Sequence, residues 1–189
     1  MIFSSLERGA PLIDTPRLRL RAYRPDDLDA SFAMWSDPAV TRFIGGRPFT
    51  REEVWGRLLR YSGMWAFMGH GFWAIEEKAS GLMVGDVGVM EARRDILPSF
   101  EGEPEVGWSL SPQVQGRGYA TEAVQAALAW ADGQLAVATL VCIISPENTP
   151  SLRIAAKFGF RERTRTTYHG EPTIQFERSE AASSGRKSR

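Results

Sequence analysis

The residues best suited to chemistry are Gln115-Gly116-Arg117-Gly118-Tyr119-Ala120, which run directly into Thr121-Glu122-Ala123. An apolar run of strand character, 105–110, precedes them, and an apolar run of helical character, 123–131, follows. A glycine-rich corner between strand and helix leaves backbone N–H groups unpaired in the first helical turn. Together with the positive end of the helix dipole, those groups suit a diphosphate. Gly116 and Gly118 lack a Cβ, so a ligand can approach the main chain closely, and Arg117 adds a cation. The glycines taken alone are equally met by an ordinary strand–helix turn. The corner lacks the Gly-Lys-Ser/Thr ending of a Walker loop and the Gly-x-Gly-x-x-Gly spacing of dinucleotide folds.

Other chemistry is bounded by composition. The chain has 189 residues, the size of one domain. Lys+Arg and Asp+Glu both number 23, and this neutral balance argues against a nucleic-acid surface. Two histidines and one cysteine, without ligand spacing, predict no metal site. Cys142 excludes an internal disulfide and fits a reducing cytoplasm. No apolar run reaches the ~18 residues of a membrane-spanning helix, and the first residues lack the pattern of a signal peptide. The expectation is a cytoplasmic protein with no membrane and no nucleic-acid partner.

The elements that must position the corner read as follows. Residues 1–12 form an N-terminal arm and 179–189 a small, polar, basic tail expected to be disordered. Residues 17–22 alternate charged and apolar, the period of a half-buried strand. Pro25-Asp26-Asp27 opens a helix to about Trp35, which Ser36-Asp37-Pro38 breaks. Thr50 and Glu53 form a capping box that opens a helix to about Tyr61. Residues 64–71 give no clear pattern. Residues 72–76 and 82–89 read as a hairpin, and 91–104 as a polar loop. Residues 140–144 are continuously apolar, a strand buried on both faces. A short helix, 151–158, and two closing strands, 160–167 and 173–177, complete the chain.

Gln115-x-x-Gly118-x-Ala120 matches the Gln/Arg-x-x-Gly-x-Gly/Ala signature of the GNAT acetyltransferases, and Asn148-x-x-Ser151 followed by Lys157-Phe158-Gly159-Phe160 resembles that superfamily's second motif. Pro104-Glu105-Val106-Gly107-Trp108-Ser109-Leu110, Gly118-Tyr119-Ala120-Thr121-Glu122-Ala123 and the opening Thr15-Pro16-Arg17-Leu18-Arg19-Leu20-Arg21 resemble the RimJ/RimL-like branch. The likeness spans about residues 12–178. It implies a single α/β (α+β) GNAT domain over 13–178, with a mostly antiparallel central sheet flanked by helices. Two strands of that sheet, ending near Leu110 and Ile144, splay apart to admit acetyl-CoA.

The resemblance implies direct transfer of an acetyl group from the thioester of acetyl-CoA, a co-substrate, to a primary amine on a protein N-terminus or a small molecule. The chain would act as a monomer or homodimer. Gln115, Gly116, Arg117, Gly118, Tyr119, Ala120 and Thr121 would hold the diphosphate, mainly through backbone N–H groups. Asn148 would bond the pantetheine arm. A freed N–H between Ser109 and Val114 would face the developing oxyanion. An alkylammonium of pKa ~10 is no nucleophile at neutral pH, and Glu105 is the expected base, with pairing to an arginine as the alternative. The tyrosine that often assists thiolate departure is replaced by Ala155, and Ser151 is the substitute, with a helix-capping role as the alternative. The missing tyrosine also leaves open a non-catalytic acyl-CoA sensor. His169 and Tyr168 border the acceptor region, and the acids between Glu91 and Glu105 offer attraction for a cationic acceptor.

Overall fold

The computed structural model describes residues 9–179. Residues 1–8 and 180–189, which carry most of the expected arm and tail, lie outside the described residues. The chain divides into two compact units, one built from residues up to 90 with 106–129, the other from 91–105 with the residues from 130 on.

In the first unit the strands β1 (Ile13–Asp14), β2 (Leu18–Arg21), β3 (Phe72–Glu77) and β4 (Met83–Met90) lie side by side in that order, followed by β5 (Glu105–Leu110). β1 to β4 pair antiparallel. Between β2 and β3 the chain forms α1 (Leu28–Trp35), α2 (Pro38–Thr41) and α3 (Arg51–Met68). Met34, Trp35, Val40, Val54 and Leu58 from these helices pack with Ala74 and Met83 of the sheet into one apolar cluster. After β5 the chain makes a 3-10 turn over Pro112–Val114 and enters α4 (Tyr119–Gln134), whose Ala123, Val124, Ala127 and Leu128 are buried.

α3 begins at the expected capping box. Thr50 Oγ1 accepts the Glu53 N–H at 3.2 Å, and Glu53 Oε2 accepts the Thr50 N–H at 2.8 Å. The helix passes the expected end near Tyr61 and stops at Gly69, whose φ of 73° is the left-handed cap. Trp65 explains the extra turns. It is buried, donates Nε1–H to Phe72 O at 2.9 Å and meets Trp73 edge-on at 4.6 Å between ring centroids. Tertiary burial thus carries the helix through Gly63, where propensity alone is weak.

The second unit contains β6 (Thr139–Ile144), α5 (Thr149–Lys157), β7 (Arg161–Tyr168) and β8 (Glu171–Ser179). β8 lies between β6 and β7 and pairs antiparallel with each. Glu105, the first residue of β5, makes a parallel bridge with Val141 of β6. The loop 91–104 is tied to the β7–β8 hairpin by Thr166 Oγ1 donating to Leu97 O and by Gln175 Nε2 donating to Pro98 O. Ile96 and Phe100 of this loop pack on Val141.

The alternation in β2 conceals one departure. Arg21 is 5 % exposed rather than solvent-facing. Its guanidinium bonds both oxygens of Asp27, at 2.7 and 2.8 Å, and Glu76 Oε2 at 2.6 Å. Despite the opposing pull of burial, the hydrogen bonds to Asp27 and Glu76 raise the Arg21 pKa further. Removing the cation takes the bidentate partner from buried Asp27 and leaves Glu76 with the longer contacts to Arg19 at 3.3 Å and Arg24 at 3.9 Å, so Arg21→Ala is expected to cost about 3–5 kcal/mol. Chemical denaturation of the variant against the parent chain measures this.

Candidate active site

Residues 115–118 form an exposed corner, and the helix opens at Tyr119. Gly116 and Gly118 both have φ of 78°, in the left-handed region where a side chain is strained. Gln115 N–H donates to Pro112 O at 3.2 Å and Arg117 N–H weakly to Val114 O at 3.4 Å. Among the described residues, the N–H groups of Gly116, Gly118, Tyr119, Ala120 and Thr121 have no protein acceptor. A Cβ at Gly116 would meet no atom within 4 Å, so the approach to the main chain is open. These are the features an anion needs at a helix start.

The corner is held in place by residues the sequence offered only as a strand and a helix. Glu122 Oε1 accepts the Thr15 hydroxyl at 2.7 Å and the Arg17 N–H at 2.8 Å, and its Oε2 accepts Arg17 Nε–H at 2.7 Å. Arg17 also donates to Arg117 O at 2.7 Å, and its guanidinium lies 4.7 Å from the Tyr119 ring centroid. Burial pushes the Glu122 carboxyl up, but these donors outweigh it and hold the group below the usual range. Tyr119 turns its hydroxyl to Glu77 at 2.6 Å, so what it offers a ligand is its main-chain N–H. The Arg117 side chain is about half exposed and lies 3.4 Å from Glu77, a weak pair from which an incoming anion can recruit it. The link from Thr15 and Arg17 to Glu122 joins two stretches whose likeness to one branch was visible in sequence, although their contact was not.

In the second unit, Asn148 caps α5. Its Oδ1 accepts the Ser151 N–H at 3.2 Å, which leaves its amide NH2 for a ligand. The capping role weighed for Ser151 therefore belongs to Asn148. The Ser151 side chain is half-buried and its hydroxyl has no hydrogen-bond partner among the described residues. Ala155, at the usual tyrosine position, is fully buried.

Glu105 departs most from the expected role. It is 4 % exposed, and Arg94 clamps both its oxygens, Nε to Oε2 at 2.6 Å and NH2 to Oε1 at 2.8 Å. Arg94 also donates to the Tyr168 hydroxyl at 3.1 Å. Both oxygens of Glu105 are thus occupied by a bidentate, charge-assisted clamp. In this geometry Glu105 is paired with an arginine, the alternative weighed for it. Two of the neighbouring acids are paired as well, Glu101 with Arg93 and Glu103 with Arg163. Cys142 is buried, and burial, then the charge of Glu105, push its thiol pKa well up. His70 is buried between its glycines, and its Nε2 has no hydrogen-bond partner among the described residues. Among the described residues no group of His, Cys, Asp or Glu is arranged to hold a metal, and no helix is long and apolar enough to cross a membrane.

Residues 17–161 match the acetyltransferase (GNAT) domain family. The chain belongs to that family. A GNAT-family acetyltransferase of Bordetella pertussis is 34% identical, with a TM-score of 0.80 over 89% of this chain and 99% of that one. An uncharacterized N-acetyltransferase, p20, of Bacillus licheniformis is 27% identical over 149 residues, 78% of this chain and 81% of its own length. The ribosomal L7/L12 N-acetyltransferase RimL, solved in complex with coenzyme A, shares the fold at a TM-score of 0.71 and 14% identity, over 89% of this chain and 98% of that one. The expected α/β class and mostly antiparallel sheet are those observed, and the enzyme is an N-acetyltransferase by family.

The corner's anchorage carries a prediction. Arg17→Ala removes the side-chain donors on Glu122 Oε2 and on the Arg117 carbonyl together, while the Thr15 hydroxyl and the main-chain N–H at position 17 stay on Glu122 Oε1. Hydrogen bonds to charged groups contribute about 1.5–3 kcal/mol, so coenzyme A affinity should fall by roughly 10-fold or more in isothermal titration. Glu122→Gln, which keeps the shape, should fall less.

Proposed function

We propose that the chain moves an acetyl group from acetyl-CoA directly to a primary amine, on a protein N-terminus or a small molecule. The observation that carries this reading is the set of N–H groups of Gly116 and of Gly118 to Thr121, without protein acceptors among the described residues, at an open helix start. Gly116, Gly118, Tyr119, Ala120 and Thr121 hold the diphosphate by main-chain N–H groups. Gln115 shapes the entry, and Arg117 adds its cation once drawn from Glu77. The co-substrate supplies an activated thioester. The Asn148 amide NH2 bonds the pantetheine arm, and the unpartnered Ser151 hydroxyl donates toward the departing thiolate. Glu105 contributes by fixing Arg94 beside Tyr168. Much of the rate comes from holding the two reactants in register.

A thiol-release assay with acetyl-CoA and a panel of amines tests the reading, and release that depends on the amine is the expected result. Ser151→Ala should lower kcat by roughly 10-fold or more, with coenzyme A affinity unchanged by titration. A second reading, a non-catalytic acyl-CoA sensor, rests on Ala155 in place of a tyrosine. Coenzyme A binding with no turnover on any amine would select it.

A further inference from the structure

Asp86, in the middle of β4, is fully buried. Its Oδ2 accepts the Trp35 indole N–H and the Tyr23 hydroxyl, each at 3.2 Å, while its Oδ1 has no partner among the described residues. A buried carboxylate oxygen without a donor is costly and asks for a reason. Facing Asp86 are Tyr23, Trp35 of α1, and Tyr61, Arg57 and Arg60 of α3, while its partner on β3 is the uncharged Ala74. Arg57 makes no ion pair with it. The guanidinium lies 3.9 Å from the Trp35 ring and 4.9 Å from the Phe49 ring, and donates to Tyr61 OH at 2.6 Å. Burial pushes the Asp86 carboxyl up to about 6, with Arg57, the Trp35 and Tyr23 hydrogen bonds and Arg60 pulling the other way.

This group adjoins the strand expected to face the acetyl carbonyl. β4 itself runs against β5: a Cβ on Gly85, on the opposite face from Asp86, would lie 2.5 Å from Ser109 O and 3.1 Å from Leu110 Cα of β5. Phe72 stacks on Tyr61 at 4.3 Å, and its Cζ would lie 2.9 Å from a Cβ on Gly107. The aromatic wall around Asp86 therefore continues to β5. Tyr23 is half-buried as a residue, and its hydroxyl donates to the buried carboxylate.

We propose that Asp86, reached through the Tyr23 hydroxyl, takes up the proton the acceptor ammonium must lose before attack. This rests on the acetyl-transfer reading. The ammonium N–H bond breaks, its electron pair stays on nitrogen, and the proton passes to the Tyr23 oxygen. Tyr23 gives its own proton to Asp86 Oδ2, leaving a neutral amine, an intact phenol and a protonated carboxyl. The proton later returns to solvent by the same path. Burial, then the Asp86 charge, push the Tyr23 pKa well up, so it serves as a relay and not as a base. A carboxyl poised near neutrality suits this work, and Glu105, with both oxygens on Arg94, does not.

The test compares the parent chain with Asp86→Asn and Tyr23→Phe, each checked for fold by thermal melting and for coenzyme A affinity by titration. In the parent, kcat/KM should rise with pH through about 6 as Asp86 loses its proton. In Asp86→Asn that limb should vanish and the rate at neutral pH fall on the order of 100-fold, with coenzyme A affinity retained. Tyr23→Phe should also lower the rate, and it decides alone if Asp86→Asn does not fold. Independently of turnover, an infrared titration should show a protonated-carboxyl band lost through the same pH range in the parent and absent in Asp86→Asn. Folded variants with the parent's rate and pH profile, or no such band, overturn the proposal while acetyl transfer stands. A parent inert toward every amine overturns both.

Discussion

The binding corner depends on where one carboxylate points. Glu122 lies in the first turn of α4, where an acid is drawn to the helix's own unpaired amides. Here Thr15 and Arg17 from the β1–β2 region hold both its oxygens. The internal anion is thereby kept occupied, and the N–H groups of Gly118 to Thr121 stay open for an external one. Arg17 reinforces this from the other side by holding the Arg117 carbonyl, which fixes the turn between two glycines in left-handed conformations.

Three buried carboxylates show how environment sets chemical role. Glu76 shares Arg21 with Asp27 in a compact ionic cluster and is structural. Glu105 has a dedicated guanidinium on both oxygens, which occupies them. Asp86 has only neutral donors and a cation held off on aromatic rings, so burial dominates its ionisation. The same functional group thus has its oxygens occupied where a fork of charged donors meets it and keeps an oxygen open where none does.

Much of the architecture was legible because it is written locally. The Thr50–Glu53 capping box, the Gly116/Gly118 corner and the apolar run of β6 each depend on residues within a few positions. Where long-range burial intervened, the reading fell short. Trp65 extends α3 past the weak Gly63 because its indole finds Phe72 O. Arg21, formally on the polar side of an alternating strand, is buried because Asp27 and Glu76 converge on it. Glu105 read as a base from its place before the corner, but Arg94, eleven positions earlier, folds back on it.

By itself the sequence determined the family, the order of elements and the main-chain corner where a diphosphate would sit. Those follow from glycine placement, periodicity and two motifs, all short-range properties. Only the tertiary structure decided which side chains are free to act. A carboxylate's availability is set by the donors that reach it, and those come from Arg94 for Glu105, from Thr15 and Arg17 for Glu122, and from Tyr23 and Trp35 for Asp86. For Glu122 and Asp86 these partners lie more than fifty positions away, a distance over which sequence spacing carries no information about contact.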